Sequence, residues 1–211
     1  MGNSQKQSQA LPALRSLGNL ADIQPCIVTD TREQKPLLFE NLDSVSGTLQ
    51  SGDYSVCGLE NKFAIERKSI ADLTSCCIGE NRARFERELH RLRGFQFARL
   101  LIVGSVDSIL LHEYRSRIEP KVVLNTLSAF EARYIPIVFA PTPAEAASRV
   151  EKWAFWFARE ITRAANDMLR GHNRAVKTEN TRDGKCAHQC FQTLTKSKPK
   201  TETQNGQERR A

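Results

Sequence analysis

The chain has 211 residues, 40% hydrophobic and 26% charged, enough for one globular core of ordinary composition. Its net charge of +7 invites a nucleic-acid reading, yet residues 21–170 hold 20 Lys plus Arg against 20 Asp plus Glu, so the excess lies at the two ends. No stretch approaches the roughly 20 apolar residues of a membrane helix, and the N-terminus lacks a signal-peptide core, which excludes membrane-spanning and secreted classes and predicts a soluble intracellular protein.

Residues 1–21 are polar and predicted to be disordered. The pattern places one domain over residues 22–170 and a basic, disordered tail over 171–211. Within the domain, Cys26–Val28 reads as a short strand running into TDTRE. Val45–Gln50 and Tyr54–Cys57 read as strands flanking a Ser-Gly-Asp turn, and Lys62–Lys68 as a third. Asn81–Arg93 carries Phe85, Leu89 and Leu92 on one helical face and stops at Gly94. Ala98–Gly104, ARLLIVG, is a continuous apolar run of the kind found in a strand covered on both faces. A helical region continues through Tyr134, IPIVFAP forms a last strand, and a helix runs from about Thr142 to Arg170. Strands alternating with helices around a buried central run predict an α/β sandwich.

Cys26, Cys57, Cys76 and Cys77 lie in or beside apolar segments and read as small buried hydrophobes. Cys186, His188 and Cys190 give three of the four ligands of a structural zinc, with His172 a distant fourth; the plainer reading is a disordered tail.

The stretch AIERKS, Ala64–Ser69, puts three consecutive charges at the end of an apolar strand, where each costs free energy to remove from water. Strand alternation sets Ala64, Glu66 and Lys68 on one face and Phe63, Ile65 and Arg67 on the other. Glu66 and Lys68 could merely neutralise each other. Asp53, in the turn SGDY, changes that reading, because a hairpin returns it to the side of Glu66. Two carboxylates and an amine then suit a hard dication, Mg2+ or Mn2+, together with an anionic substrate. Lys68 would orient or help deprotonate an attacking water and offset charge growing on phosphorus.

An Asp followed by Glu-x-Lys across a hairpin resembles the PD-(D/E)xK nuclease core. DTRE at Asp30–Glu33, GDY at Gly52–Tyr54, IERKSIADL at Ile65–Leu73 and ARF at Ala83–Phe85 resemble, in order and spacing, the XPF (ERCC4-domain) family of structure-specific endonucleases. The resemblance covers about residues 25–165 and implies a restriction-endonuclease-like three-layer sandwich, a central mixed sheet flanked by helices. It implies Mg2+-dependent hydrolysis of DNA at branches or flaps in recombination or repair. Asp53 and Glu66 would bind metal, with Asp30 supporting it; Lys68 would be the catalytic cation; Arg67 and Asp72 complete the motif; Arg32, Glu33 and Arg84 match further family positions. Plainer roles exist: Asp72 and Ser69 form a helix-start capping pair, Asp30 caps a turn, and Arg32 pairs with Glu40 or a neighbour of Glu33.

Arg84, Arg87 and Arg91 form one stripe on the predicted helix, a track for DNA phosphates that Glu86 and Glu88 dilute. On the last helix Val150, Trp153, Phe157 and Ile161 share a face while Phe155 and Trp156 lie elsewhere, so the region could pair with a second subunit, a homodimer or heterodimer, as in the family. Residues 171–211 lack the helical pairs of a helix-hairpin-helix module, which leaves the preferred DNA structure open. The alternatives are a non-catalytic DNA-binding scaffold subunit and a different PD-(D/E)xK enzyme. The intact Asp53, Glu66, Lys68 and Asp72 favour the nuclease.

Overall fold

A computed structural model describes residues 24–194, with side chains through residue 171. Of the two ends predicted to be disordered, residues 1–21 and 195–211 lie outside the described residues, as do the side chains of Cys186, His188 and Cys190, whereas 171–194 belong to the last helix. The chain divides into two compact units between Thr162 and Arg163, the second holding the rest of the last helix.

The first unit is built on a six-stranded mixed sheet. In chain order the elements are β1 (Ile27–Asp30), β2 (Ser44–Gly47), β3 (Tyr54–Val56), β4 (Phe63–Ser69), α1 (Ile70–Ser75), α2 (Gly79–Leu92), β5 (Phe97–Val103), α3 (Val106–Leu110), α4 (Pro120–Arg133), β6 (Ile137–Ala140) and α5 (Pro143–Leu194). The spatial order is β2-β1-β3-β4-β5-β6. β4, β5 and β6 run parallel, joined by helical crossovers, whereas β3 is antiparallel to both β1 and β4.

The sandwich follows from side-chain alternation in the central strands. Ala64, Leu100 and Ile102 point into a core closed by Leu73, Phe85, Leu89 and Phe130 of the helices on that face. Phe63, Ile65 and Leu101 point into a second core closed by Ala146, Ala147, Val150 and Ala154 of α5. The unbroken apolar run of β5 is thus explained by burial on both faces. Small alanines let α5 lie close to the sheet, while Trp153 and Phe157 fill its edge against Phe63 and Phe97.

Several expectations are corrected. The segments on either side of Ser-Gly-Asp do not pair with each other: β2 pairs parallel with β1, and β3 sits on the other side of β1. The short helix α1 follows β4 directly and is capped by the Ser69 side chain, which accepts from the Asp72 amide. α5 continues past Arg170 and Gly171 to Leu194; residues 171–194 contain no proline, and glycine weakens a helix without removing a hydrogen bond from it. Of the four cysteines read as buried, only Cys77 is; Cys57 is exposed and Cys26 and Cys76 are half-buried.

Gly104 ends β5 with φ 145°, and a Cβ there would come within 2.3 Å of the Ile70 side chain. Its amide also closes the sheet by donating to the Ala140 carbonyl at 2.8 Å. Gly104→Ala is expected to destabilise the domain by about 2 kcal/mol or more, read as a lower urea midpoint with unchanged slope.

Candidate active site

The site forms where the β3–β4 hairpin brings the turn before β3 against the C-terminal half of β4. Gly52 makes this possible: its φ is 79°, and a Cβ would meet the Ile65 carbonyl at 3.0 Å, so no other residue fits the turn without displacement. The Asp53 amide donates to the Ile65 carbonyl at 2.8 Å, and the Arg67 amide donates to Asp53 Oδ2 at 2.7 Å. These two bonds straddle Glu66 and fix the Asp53 carboxylate beside it.

Glu66 is 2% exposed, and its Oε1 accepts directly from Lys68 Nζ. The Lys68 ammonium also lies over the Phe85 ring of α2, 5.3 Å from its centroid. Burial pushes the Asp53 carboxyl up to about 6, against the Arg67 amide and Lys68, which favour its charged form. Burial pushes Glu66 up as well, and the neighbouring Asp53 adds to this. The two partners lean in opposite senses. Burial alone would lower Lys68, but Glu66 and Asp53 together hold it above the ordinary lysine range. The amine thus stays charged, while its buried carboxylate partner lacks sufficient positive charge.

These upward shifts have a defined sign. A folded-state carboxyl pKa above its unfolded value means that the native protein binds protons the unfolded chain releases. The contribution of this pair is complete below about pH 4 and is lost as pH rises through about 6 and beyond. In chelator, the melting temperature is expected to fall by several degrees between pH 5 and pH 8.5, measured by circular dichroism.

The remaining sequence candidates are distributed around this centre. Asp30 is 2% exposed, and its carboxylate is occupied by Arg32 N, Nε and Nη2 and by the Leu49 amide. Those bonds, the Arg32 side chain first, hold its carboxyl down at about 2. Asp30 thus closes the turn after β1 and ties it to Leu49. Arg32 pairs with Asp30 and not with Glu40, and also donates to the Leu49 carbonyl at 2.9 Å, with 68% of its side chain exposed. Arg67 points to the opposite face from Glu66, as alternation requires, and meets Glu33 at 3.3 Å with its buried Nε unpartnered. It anchors the segment after β1. Tyr54 does likewise, accepting from the Leu37 amide at 2.9 Å. Asp72 sits in the first turn of α1, its Oδ2 accepting from Ser69 Oγ at 2.7 Å. Arg84, Arg87 and Arg91 all face solvent on α2.

One functional candidate escapes sequence reasoning. Glu88, half-buried on α2 one turn beyond Phe85, lies near enough for its charge to act on Asp53, Glu66, Lys68 and Arg32. Its spacing of three from Phe85 was the available signal. Asp53, Glu66 and Glu88 surround the Lys68 ammonium while the nearby Arg32 guanidinium is already paired with Asp30, which leaves an excess of negative charge that a divalent cation would balance. Among the described residues no group of three or more His, Cys, Asp and Glu is arranged around a common point as a metal site. Asp53 and Glu66 are the protein donors best placed for a hard cation, with carbonyl, water or substrate oxygens left to complete its shell.

A mixed sheet with helices on both faces, carrying Glu-x-Lys at the end of one strand and an aspartate in the turn that leads into its antiparallel neighbour, is the architecture of an XPF-type nuclease domain. A family model described as the ERCC4 domain matches residues 29–152, and the chain belongs to that family. Among solved structures, XPF from Aeropyrum pernix is similar at 18% identity and a TM-score of 0.50, over 62% of this chain and 60% of that one. XPF from Aeropyrum pernix in complex with DNA is similar at 17% identity and a TM-score of 0.50, over 65% of this chain and 66% of that one. The chain thus spans just under two thirds of the length of these structures. Curated proteins yield no match.

Proposed function

We propose that this domain is a metal-dependent DNA endonuclease that hydrolyses phosphodiester bonds at branched or flapped DNA, in recombination or repair. The observation that carries the reading is the half-buried Asp53 beside the buried Glu66, with Lys68 held against Glu66. Those residues suit Mg2+ or Mn2+: both side chains offer oxygen only, and their burial leaves them in need of positive charge. A bound dication would polarise the phosphate and lower the pKa of a coordinated water. Lys68, kept charged by Glu66 and Asp53, serves as a fixed cation toward the charge that develops on phosphate oxygens and not as a base. The Arg67 amide keeps the Asp53 carboxylate in place.

Purified protein incubated with labelled flap, fork, junction and linear duplexes is expected to cut the branched substrates with Mg2+ or Mn2+ and to stop in excess chelator. Binding without cleavage would instead support the scaffold reading.

The α2 arginines supply the track for the backbone. Replacing Arg84, Arg87 and Arg91 together by alanine is expected to weaken DNA binding about equally for all sequences. If all three contact phosphates, the slope of log affinity against log salt should fall by about 2.7, measured by fluorescence anisotropy.

Pairing with a second subunit through α5 is supported by Phe155 and Trp156, which are 39% and 55% exposed and pack edge to face beside Leu42 and Glu151. Sedimentation of Phe155→Glu beside the wild type reads this directly: a lower mass for the variant supports the surface, and equal masses count against it.

A further inference from the structure

Two exposed or half-buried thiols have no part in the nuclease reading. The antiparallel ladder pairs Ile27 with Val56, so the next residues outward, Cys26 and Cys57, stand directly opposite each other. The Cys57 amide donates to the Cys26 carbonyl at 2.9 Å, which continues the ladder by one step. Facing residues joined in this way have Cα atoms about 5.5 Å apart, within the range that a disulfide spans. Strand alternation also puts both side chains on the same face. The Cys26 thiol donates to the Ile27 carbonyl at 3.8 Å, and both cysteines are reduced.

We propose that Cys26 and Cys57 are a redox-active pair that low-molecular-weight disulfides convert to a reversible cross-strand disulfide. In the first step the exposed Cys57 loses its proton to water and its thiolate attacks one sulfur of the small disulfide. This forms a mixed disulfide and expels one small thiolate, which takes up a proton. Cys26, deprotonated in turn, attacks the Cys57 sulfur and expels the second small thiolate. The two protein sulfurs are oxidised, and the small disulfide is reduced to two thiols. Burial, and the neighbouring Cys26, push the Cys57 thiol up, so exchange accelerates toward alkaline pH.

The bond closes a loop of about thirty residues that contains Asp30, Glu33 and Asp53. It sits at the end of β3 away from Asp53, so it restrains the scaffold without touching the acidic pair.

The test treats the full chain with glutathione disulfide at pH 8, followed by non-reducing peptide mapping and thermal melting. Expected are a cross-linked peptide joining Cys26 to Cys57, two hydrogens lost from the mass, and a rise in melting temperature of about 5 °C or more that dithiothreitol reverses. Cys57→Ser, a surface change, should abolish both the cross-link and the rise, while Cys76→Ser should abolish neither. A persistent glutathione adduct on Cys57, a cross-link joining other cysteines, or an equal rise in Cys57→Ser would overturn the proposal.

Discussion

Asp53→Asn is expected to lower DNA cleavage by at least about a thousandfold and, without metal at pH 8, to raise stability by about 1–3 kcal/mol. The two effects share one cause. Burial and mutual repulsion make the Asp53 and Glu66 carboxylates costly to ionise, and that cost is what a dication would relieve. Asparagine keeps an oxygen for the Arg67 amide, so the turn survives, and Gly52 still sets its approach to β4. Rates on a flap substrate and chemical denaturation in chelator check the two halves separately. A variant both inactive and less stable would mean that Asp53 serves mainly to build the hairpin.

Lys68→Met carries the second largest effect, in the opposite sense on stability. Removing the ammonium leaves Glu66 buried with no counter-charge and takes away the contact with the Phe85 ring. The expected cost at pH 8 is about 2–4 kcal/mol. It should shrink toward pH 5, because Glu66, its folded pKa already raised, can then be neutral. Cleavage should fall by about 100-fold to 1000-fold even where the variant is fully folded, since the fixed cation is lost. Denaturation at the two pH values and single-turnover rates provide the measurements.

Much of this arrangement was legible in the sequence because it rests on short periods. A strand period of two put Glu66 and Lys68 on one face and Arg67 on the other, and the structure keeps that division. The run Leu100–Val103 at the centre and end of β5, apolar without a break, announced burial on both faces. Partner choice was not legible. β1 and β2 pair parallel across a connection without a helix, and nothing in either segment distinguishes that from a β2–β3 hairpin. α1, six residues long, is too short for a helical period to register, although its Ser69–Asp72 cap was visible. The fate of Asp30 depended on tertiary contact: only the approach of Leu49 and the return of Arg32 reveal that its carboxylate is fully engaged. Glu88 was hidden for a related reason, since its neighbours on β4 come from twenty or so residues earlier in the chain.

The most direct measurement is titration of the metal-free protein with Mn2+ in the absence of DNA, following free Mn2+ by electron paramagnetic resonance. Wild type is expected to bind one ion per domain in competition with Mg2+, and Asp53→Asn and Glu66→Gln each to weaken that binding at least about tenfold. Equal affinity in all three proteins would contradict the assignment of this carboxylate pair as the cation site.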